Sequence, residues 1–260
     1  MVSMTEPAPL ARSAATAVIF RDRSDAPPEL LMMERSKGMA FAAGALVFPG
    51  GAVDDADLEQ ARALSTALPI DEAAARIAAI RETLEESGLG IGFRAAPDRF
   101  TLATMRESMA AGKGFAELLT EAGIALDLDA LVPFARWHPN TKEAARRVFD
   151  TRFYLARLAE GSHEPTVDAT ENVHLFWATA RAVLDACDRG EGRIIFPTRR
   201  NLERLAQFNT FANAADHARA TPIEKVTPWI EDRSGAAHLC IPDHLGYPVT
   251  SEAIATALRG

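Results

Sequence analysis

The sequence predicts an α/β protein of the α+β type, with a mixed β-sheet sandwiched between helices. Runs rich in β-branched and aromatic residues recur among stretches of helical period, but without the strict strand–helix–strand rhythm of a doubly wound parallel sheet. No internal repeat is present, which sets aside solenoids and propellers. Hydrophobic residues make up 48% of 260 positions, ample for the core of one large domain. Residues 13–260 are read as that single domain, after a flexible start at 1–12 marked by Pro7 and Pro9.

In chain order, Ala15 to Arg21 (ATAVIFR) and Glu29 to Glu34 (ELLMME) read as two short strands. The turn-rich residues Asp22 to Pro28 between them make a hairpin. Ala45 to Phe48 is a third strand running into Pro49-Gly50-Gly51, where paired glycines permit a tight turn and a bare backbone. Residues 52–70 are acidic, then alanine-rich, and predict a surface excursion. Helical stretches follow over Pro97 to Ala111 and Gly114 to Ala122, inside an insertion of about 95–130. Leu131 to Trp137, Val148 to Leu158 and Asn172 to Trp177 are strand-like, and Thr179 to Asp188 is helical. Pro197-Thr198 opens a further helix of a carboxy-terminal helical extension, about 197–260, whose tail holds the strand-like Ala237 to Ile241.

Between the excursion and the insertion lies the most informative helix. At about 100° per residue, Ala73, Ile77, Ile80 and Leu84 form one apolar stripe, and Glu82, Glu85 and Glu86 centre on the opposite side. Ala75, Ala78 and Ala79 lie along the acidic side and predict a shallow approach to the carboxylates. Asp71 and Glu72 suit the amino end and Gly88 the carboxyl end. Three carboxylates at spacings of three and four repel one another unless a cation joins them. A plain solvated face is the common reading of helical glutamates, but it does not account for Arg81, Gly88 and the upstream Pro-Gly-Gly together.

Composition narrows the partners. A formal net charge of −8 argues against an electrostatic nucleic-acid binder, and an anionic substrate needs local compensation by metal or arginine. Cys187 and Cys240 are far apart and read as small hydrophobes in a reducing setting. His138, His163 and His174 form no zinc-ligand pattern. The first dozen residues lack the long apolar core of a signal peptide, and no run of about 18 apolar residues occurs, so neither a signal peptide nor a membrane span is expected. A cytoplasmic location is the expectation.

The run from Gly51 to Leu89 resembles the Nudix box: Gly, five residues, Glu, seven residues, Arg-Glu, an aliphatic, any, Glu-Glu, any, Gly, an aliphatic. Arg81, Glu82, Leu84, Glu85, Glu86, Gly88 and Leu89 match its second half at every defined position. Asp57 stands at the place of the first Glu, and the connection to Arg81 is lengthened within the enlarged loop 52–70. Such a lengthened box resembles the branch containing peroxisomal coenzyme A diphosphatases, with further similarity through Phe134 to Trp137, Arg147 to Phe153 and Pro197-Thr198.

The resemblance implies a Nudix fold and a metal-dependent diphosphatase. Its implied ligands for Mg²⁺ or Mn²⁺ are Glu82, Glu85, Glu86 and the carbonyl of Gly50. Arg81 is implied to hold Glu85 and keep it ionised. The base is implied to be a box glutamate or a loop residue, with Glu171 the candidate outside the box. Arg35, Phe41, Arg136 and Arg152 are the substrate-binding candidates. Coenzyme A or acyl-coenzyme A, cleaved to 3′,5′-ADP and (acyl-)phosphopantetheine, is the leading substrate. ADP-ribose, nucleotide sugars and dinucleotides are alternatives, and a non-catalytic Nudix sensor is the alternative of another class. The partner expected is a small-molecule diphosphate, with no nucleic acid and no membrane, and a homodimer is left open.

Overall fold

The computed structural model describes residues 11–36, 44–138, 148–167 and 172–257. Phe41 and Glu171 lie outside them. The chain opens with β1 (Arg12–Arg21), β2 (Glu29–Arg35), β3 (Leu46–Val47) and β4 (Gly50–Ala52). Helices α1 (Asp55–Ala63), α2 (Ile70–Ser87), α3 (Arg99–Ala110) and α4 (Phe115–Ala122) follow. Then come β5 (Val132–Trp137), β6 (Phe149–Arg157), β7 (Asn172–Thr179), α5 (Ala180–Asp188), α6 (Phe196–Leu205) and α7 (Phe211–Ala220). The carboxy-terminal part is β8 (Lys225–Val226), β9 (Trp229–Arg233), β10 (Ala236–Cys240), β11 (Ser251–Ala253) and α8 (Ile254–Ala257).

The main sheet is mixed and runs β3-β2-β1-β6-β5-β8, with β4 also on β1 and β7 also on β2. Strand β1 is its axis. One edge pairs in parallel with β6 from Arg12 to Phe20. The other edge is shared between β4, opposite Ala14 to Thr16, and β2, opposite Phe20 and Arg21. A strand covered on both faces reads as a nearly continuous apolar run, which is what ATAVIFR is. Alternation divides it: Ala15, Ala17 and Ile19 join the core with α2, while Val18 and Phe20 join the core with α6 and α7.

Three expectations change. Pro49-Gly50-Gly51 does not close a turn, because Gly50–Ala52 is extended and pairs with β1. A Cβ on Gly50 would collide with the backbone of Ala15 and Thr16, so the close approach needs glycine. The excursion at 52–70 contains a helix, α1, whose Ala61 is buried in the same core as α2. For the same reason the alanines do not form a shallow approach: Ala75, Ala78 and Ala79 are fully buried. Their small side chains let neighbouring elements pack directly against the backbone of α2.

The helical part of the carboxy-terminal extension covers the other face of the sheet. Buried Arg204 of α6 donates to the Phe134 carbonyl of β5 at 2.9 Å, its guanidinium stacked over the Phe134 ring at 4.1 Å. Trp137 donates to the Tyr247 hydroxyl at 3.0 Å, which ties the tail to the same strand. Beyond α7, β8 joins the main sheet parallel to β5, and β9, β10 and β11 form a separate three-stranded sheet.

Candidate active site

Helix α2 delivers the three glutamates at its carboxyl end. Gly88 stops it in the left-handed conformation, φ 71°, and returns its N–H to the Leu84 carbonyl at 2.9 Å. Beside this last turn runs β4. The Gly50 N–H donates to Glu86 Oε2 at 2.8 Å, and a Cβ on Gly51 would occupy the place of the Glu82 carboxylate. The glycine pair therefore serves the site twice, once as a donor and once as an absence of side chain.

Arg81 is the hub. Its Nε and Nη2 donate to the two oxygens of Asp57 at 3.0 and 2.9 Å, and Nη2 also donates to the Ala52 carbonyl at 3.1 Å. Nη1 donates to Glu82 at 2.9 Å and to Glu85 at 3.3 Å. All the N–H groups of the guanidinium thus have acceptors, and Asp54 stands a further 3.7 Å from Nη2. Burial alone would lower the proton affinity of Arg81, but Asp57, Glu82 and Glu85 outweigh it and raise it.

Asp57 now has a place. It sits in the first turn of α1, 2% exposed, and takes the Asp54 N–H at 2.9 Å while holding Arg81 from behind. The lengthened connection folds as a helix and brings this acid back to the arginine from a greater distance along the chain.

The carboxylates are not equivalent. Burial pushes Glu82 up to about 7 against the pull of Arg81. Glu85 is also raised, mainly by burial, so Arg81 holds it without fully offsetting its desolvation. Glu85 has the most open side chain, 38% exposed, whereas residue Glu86 is 5% exposed. Asp54, Asp57, Glu82 and Glu85 surround one guanidinium. That surplus of negative charge and its all-oxygen donor set fit a hard divalent cation. Among the described residues no group of three such ligands is drawn together as a ready cage.

The remaining candidates are placed as follows. Arg136 makes a two-pronged pair with Asp150 at 2.7 and 2.9 Å. Arg152 is taken by Asp71 at 2.6 Å, Glu72 at 3.3 Å and Ser13 at 3.1 Å. Arg35, at the end of β2, keeps a buried Nε without a hydrogen-bond partner among the described residues. Past the carboxyl end of α2 a cavity of about 230 Å³ is lined by Arg21, Arg157, His163 and Trp177, among others. Sequence reasoning passed over Arg106 and Thr166, which meet the end of α2, and it left the purpose of Asp57 unassigned. Asp57 had a signal, because Asp54 three residues earlier forms a helix-start pair with it; Arg106 had none.

The chain is similar to several solved structures. A Nudix hydrolase from Alicyclobacillus acidocaldarius is 29% identical, with a TM-score of 0.66 over 80% of this chain and 96% of its own. More distant are a MutT Nudix hydrolase from Burkholderia pseudomallei, 18% identical with a TM-score of 0.37 over 66% of this chain and 86% of its own, and a MutT protein from Methanosarcina mazei Go1, 14% identical with a TM-score of 0.41 over 76% and 94%. Fold and box together define a Nudix diphosphatase, a class that acts on nucleoside diphosphate derivatives and generally uses divalent metals. Within that class, the NUDT19 Nudix domain matches residues 58–205, more than half of the chain, and the chain belongs to this family.

Proposed function

We propose that the protein hydrolyses the diphosphate linkage of coenzyme A or acyl-coenzyme A, giving 3′,5′-ADP and (acyl-)phosphopantetheine. The observation that carries the diphosphatase chemistry is the set of carboxylates gathered around the single guanidinium of Arg81. The coenzyme A choice is supported by the match to the NUDT19 Nudix domain.

Glu82, Glu85 and Glu86, with the Gly50 carbonyl, would hold Mg²⁺ or Mn²⁺. When bound, the ion neutralises phosphate oxygens and lowers the pKa of a water. The chain's own residues set the rest. Arg81 fixes Glu82 and Glu85 from the side, and the Gly50 N–H fixes Glu86. A carboxylate takes the proton of the attacking water; Glu85, the most open of the three helix glutamates, and Glu171 are the candidates. Arg35, whose buried Nε has no partner among the described residues, could turn that donor to a phosphate oxygen, whereas Arg136 and Arg152 would have to exchange carboxylate partners first.

The test is turnover of a diphosphate panel (coenzyme A, acyl-coenzyme A, ADP-ribose, nucleotide sugars, dinucleotides) with Mg²⁺ or Mn²⁺, products identified by mass. Coenzyme A turnover yielding 3′,5′-ADP is expected, falling by at least about 100-fold in Glu86→Gln. Preferred turnover of another panel member moves the substrate assignment to that class. No turnover of any member sinks the enzyme in favour of a sensor, and turnover indifferent to the Glu86 change sinks the site.

A further inference from the structure

We propose that Arg106 of α3 is a positioning residue for the cation-binding carboxylates, acting through the backbone of the turn that carries them. This rests on the reading of Glu85 and Glu86 as cation ligands. The last carbonyls of a helix have no partner within it and must find one elsewhere. In α2 the Glu85 carbonyl accepts from Arg106 Nε at 2.8 Å and the Glu86 carbonyl from Arg106 Nη2 at 3.2 Å. The Ser87 carbonyl accepts from the Thr166 N–H at 2.9 Å, and the Gly88 carbonyl lies 3.0 Å from His163 Nε2. Arg106 Nη1 closes the circuit by donating to Thr166 Oγ1 at 2.8 Å.

One planar fork therefore grips the carbonyls of the two residues whose side chains would ligate the ion, and also the loop that seals the next carbonyl. A cation held by these glutamates would also lie towards the negative end of the helix dipole. Gly88 makes the fit possible: a Cβ there would approach Thr166 Oγ1 to 3.0 Å and Arg106 Nη1 to 3.3 Å. Ligand oxygens must be placed to within a few tenths of an ångström, so a turn that shifts by that amount loses affinity for the ion. Arg81 holds the carboxylates themselves; Arg106 holds the main chain beneath them. The helical insertion, of which α3 is part, thereby acquires a role in the site.

The test measures Mn²⁺ binding to the full-length protein without substrate, by electron paramagnetic resonance, alongside turnover. Arg106→Met is expected to weaken Mn²⁺ binding by about 10-fold or more. It should also lower kcat and raise the metal concentration needed for half-maximal rate, with substrate KM at saturating metal within about twofold. Arg106→Lys, which keeps charge but not the fork, should recover only part, and added guanidinium ion should restore part of the Met variant. Thr166→Val should show a smaller effect in the same direction. A folded Met variant with wild-type Mn²⁺ affinity overturns the proposal, and so does a Lys variant equal to wild type. Should the Met variant fail to fold, the Lys variant decides by the same measure. Wild-type protein that binds no Mn²⁺ overturns the cation site as well, whereas wild-type binding with indifferent variants overturns only the role of Arg106.

Discussion

Arg81 and Arg204 are two enclosed arginines on opposite faces of one sheet, and their surroundings differ in kind. Arg81 faces Asp54, Asp57, Glu82 and Glu85. Arg204, 1% exposed, faces no carboxylate among the described residues: it has the Phe134 carbonyl, His217 Nδ1 at 3.3 Å, and the rings of Phe134 and Tyr247. Burial lowers the proton affinity of Arg204, with Tyr247 its main relief, and the guanidinium in turn helps burial to lower that of His217. On one face more negative charge is gathered than the arginine neutralises, which leaves work for a divalent ion. On the other, a single charge is sealed to fasten α6 and the tail to β5. The first arrangement is open to chemistry and the second closes a structure.

The comparison breaks most sharply at Arg81. Replacing it with Met leaves Asp57 buried and unpaired and frees Glu82 and Glu85, so a loss of about 3–5 kcal/mol in stability is expected, together with turnover. Urea unfolding measures the first. Because the stranded carboxylates are where the cation would bind, Mn²⁺ should recover part of the lost stability. A variant whose unfolding midpoint ignores Mn²⁺ would show that these carboxylates do not take the ion.

At Arg204 the expected loss is somewhat smaller and of one kind only. Arg204→Ala opens a void and orphans the Phe134 carbonyl, for about 2–4 kcal/mol. Turnover per folded molecule should stay within about twofold, since nothing in the cluster touches Arg204. Arg204→Met should cost less than Arg204→Ala, because its longer side chain fills more of the void left by the guanidinium. A folded Arg204→Ala protein with depressed kcat would mean that the back of the sheet is coupled to the glutamate helix.

How far the sequence disclosed all this depends on the range of each interaction. The helix with Glu82, Glu85 and Glu86 was legible because helical period and both end signals are local. The strands of the main sheet were legible from composition, yet not their order, since the parallel pairing of β1 with β6 joins residues far apart in the chain. The burial of Ala75, Ala78 and Ala79 was misread because alanine reports small size and not which neighbour uses the space. Asp57 was located but not understood, its partner Arg81 lying 24 residues on. Arg106 was invisible: its acceptors on α2 are main-chain carbonyls, which carry no residue identity.

A second ion-paired site inverts the arrangement at Arg81, and the effect expected there is the smallest. Asp150 is one carboxylate held by two cations, Arg136 at 2.7 and 2.9 Å and Lys225 at 2.9 Å, so that it stitches β5, β6 and β8 together. Burial alone would raise its pKa, but the hydrogen bonds from Arg136 and Lys225 outweigh burial and hold it at about 2, below the ordinary 3.8. A depressed carboxylate stabilises the fold above its unfolded pKa, and that contribution drains away as pH falls from about 4 through about 2. After solvent screening it amounts to roughly 1–2 kcal/mol. Asp150→Asn should therefore be less stable than wild type by that amount at neutral pH, and the gap should close in acid-titrated unfolding. A gap that persists to the lowest pH would assign the loss to packing of the amide, and a gap absent at neutral pH would leave Arg136 free to exchange its carboxylate for a phosphate at little cost.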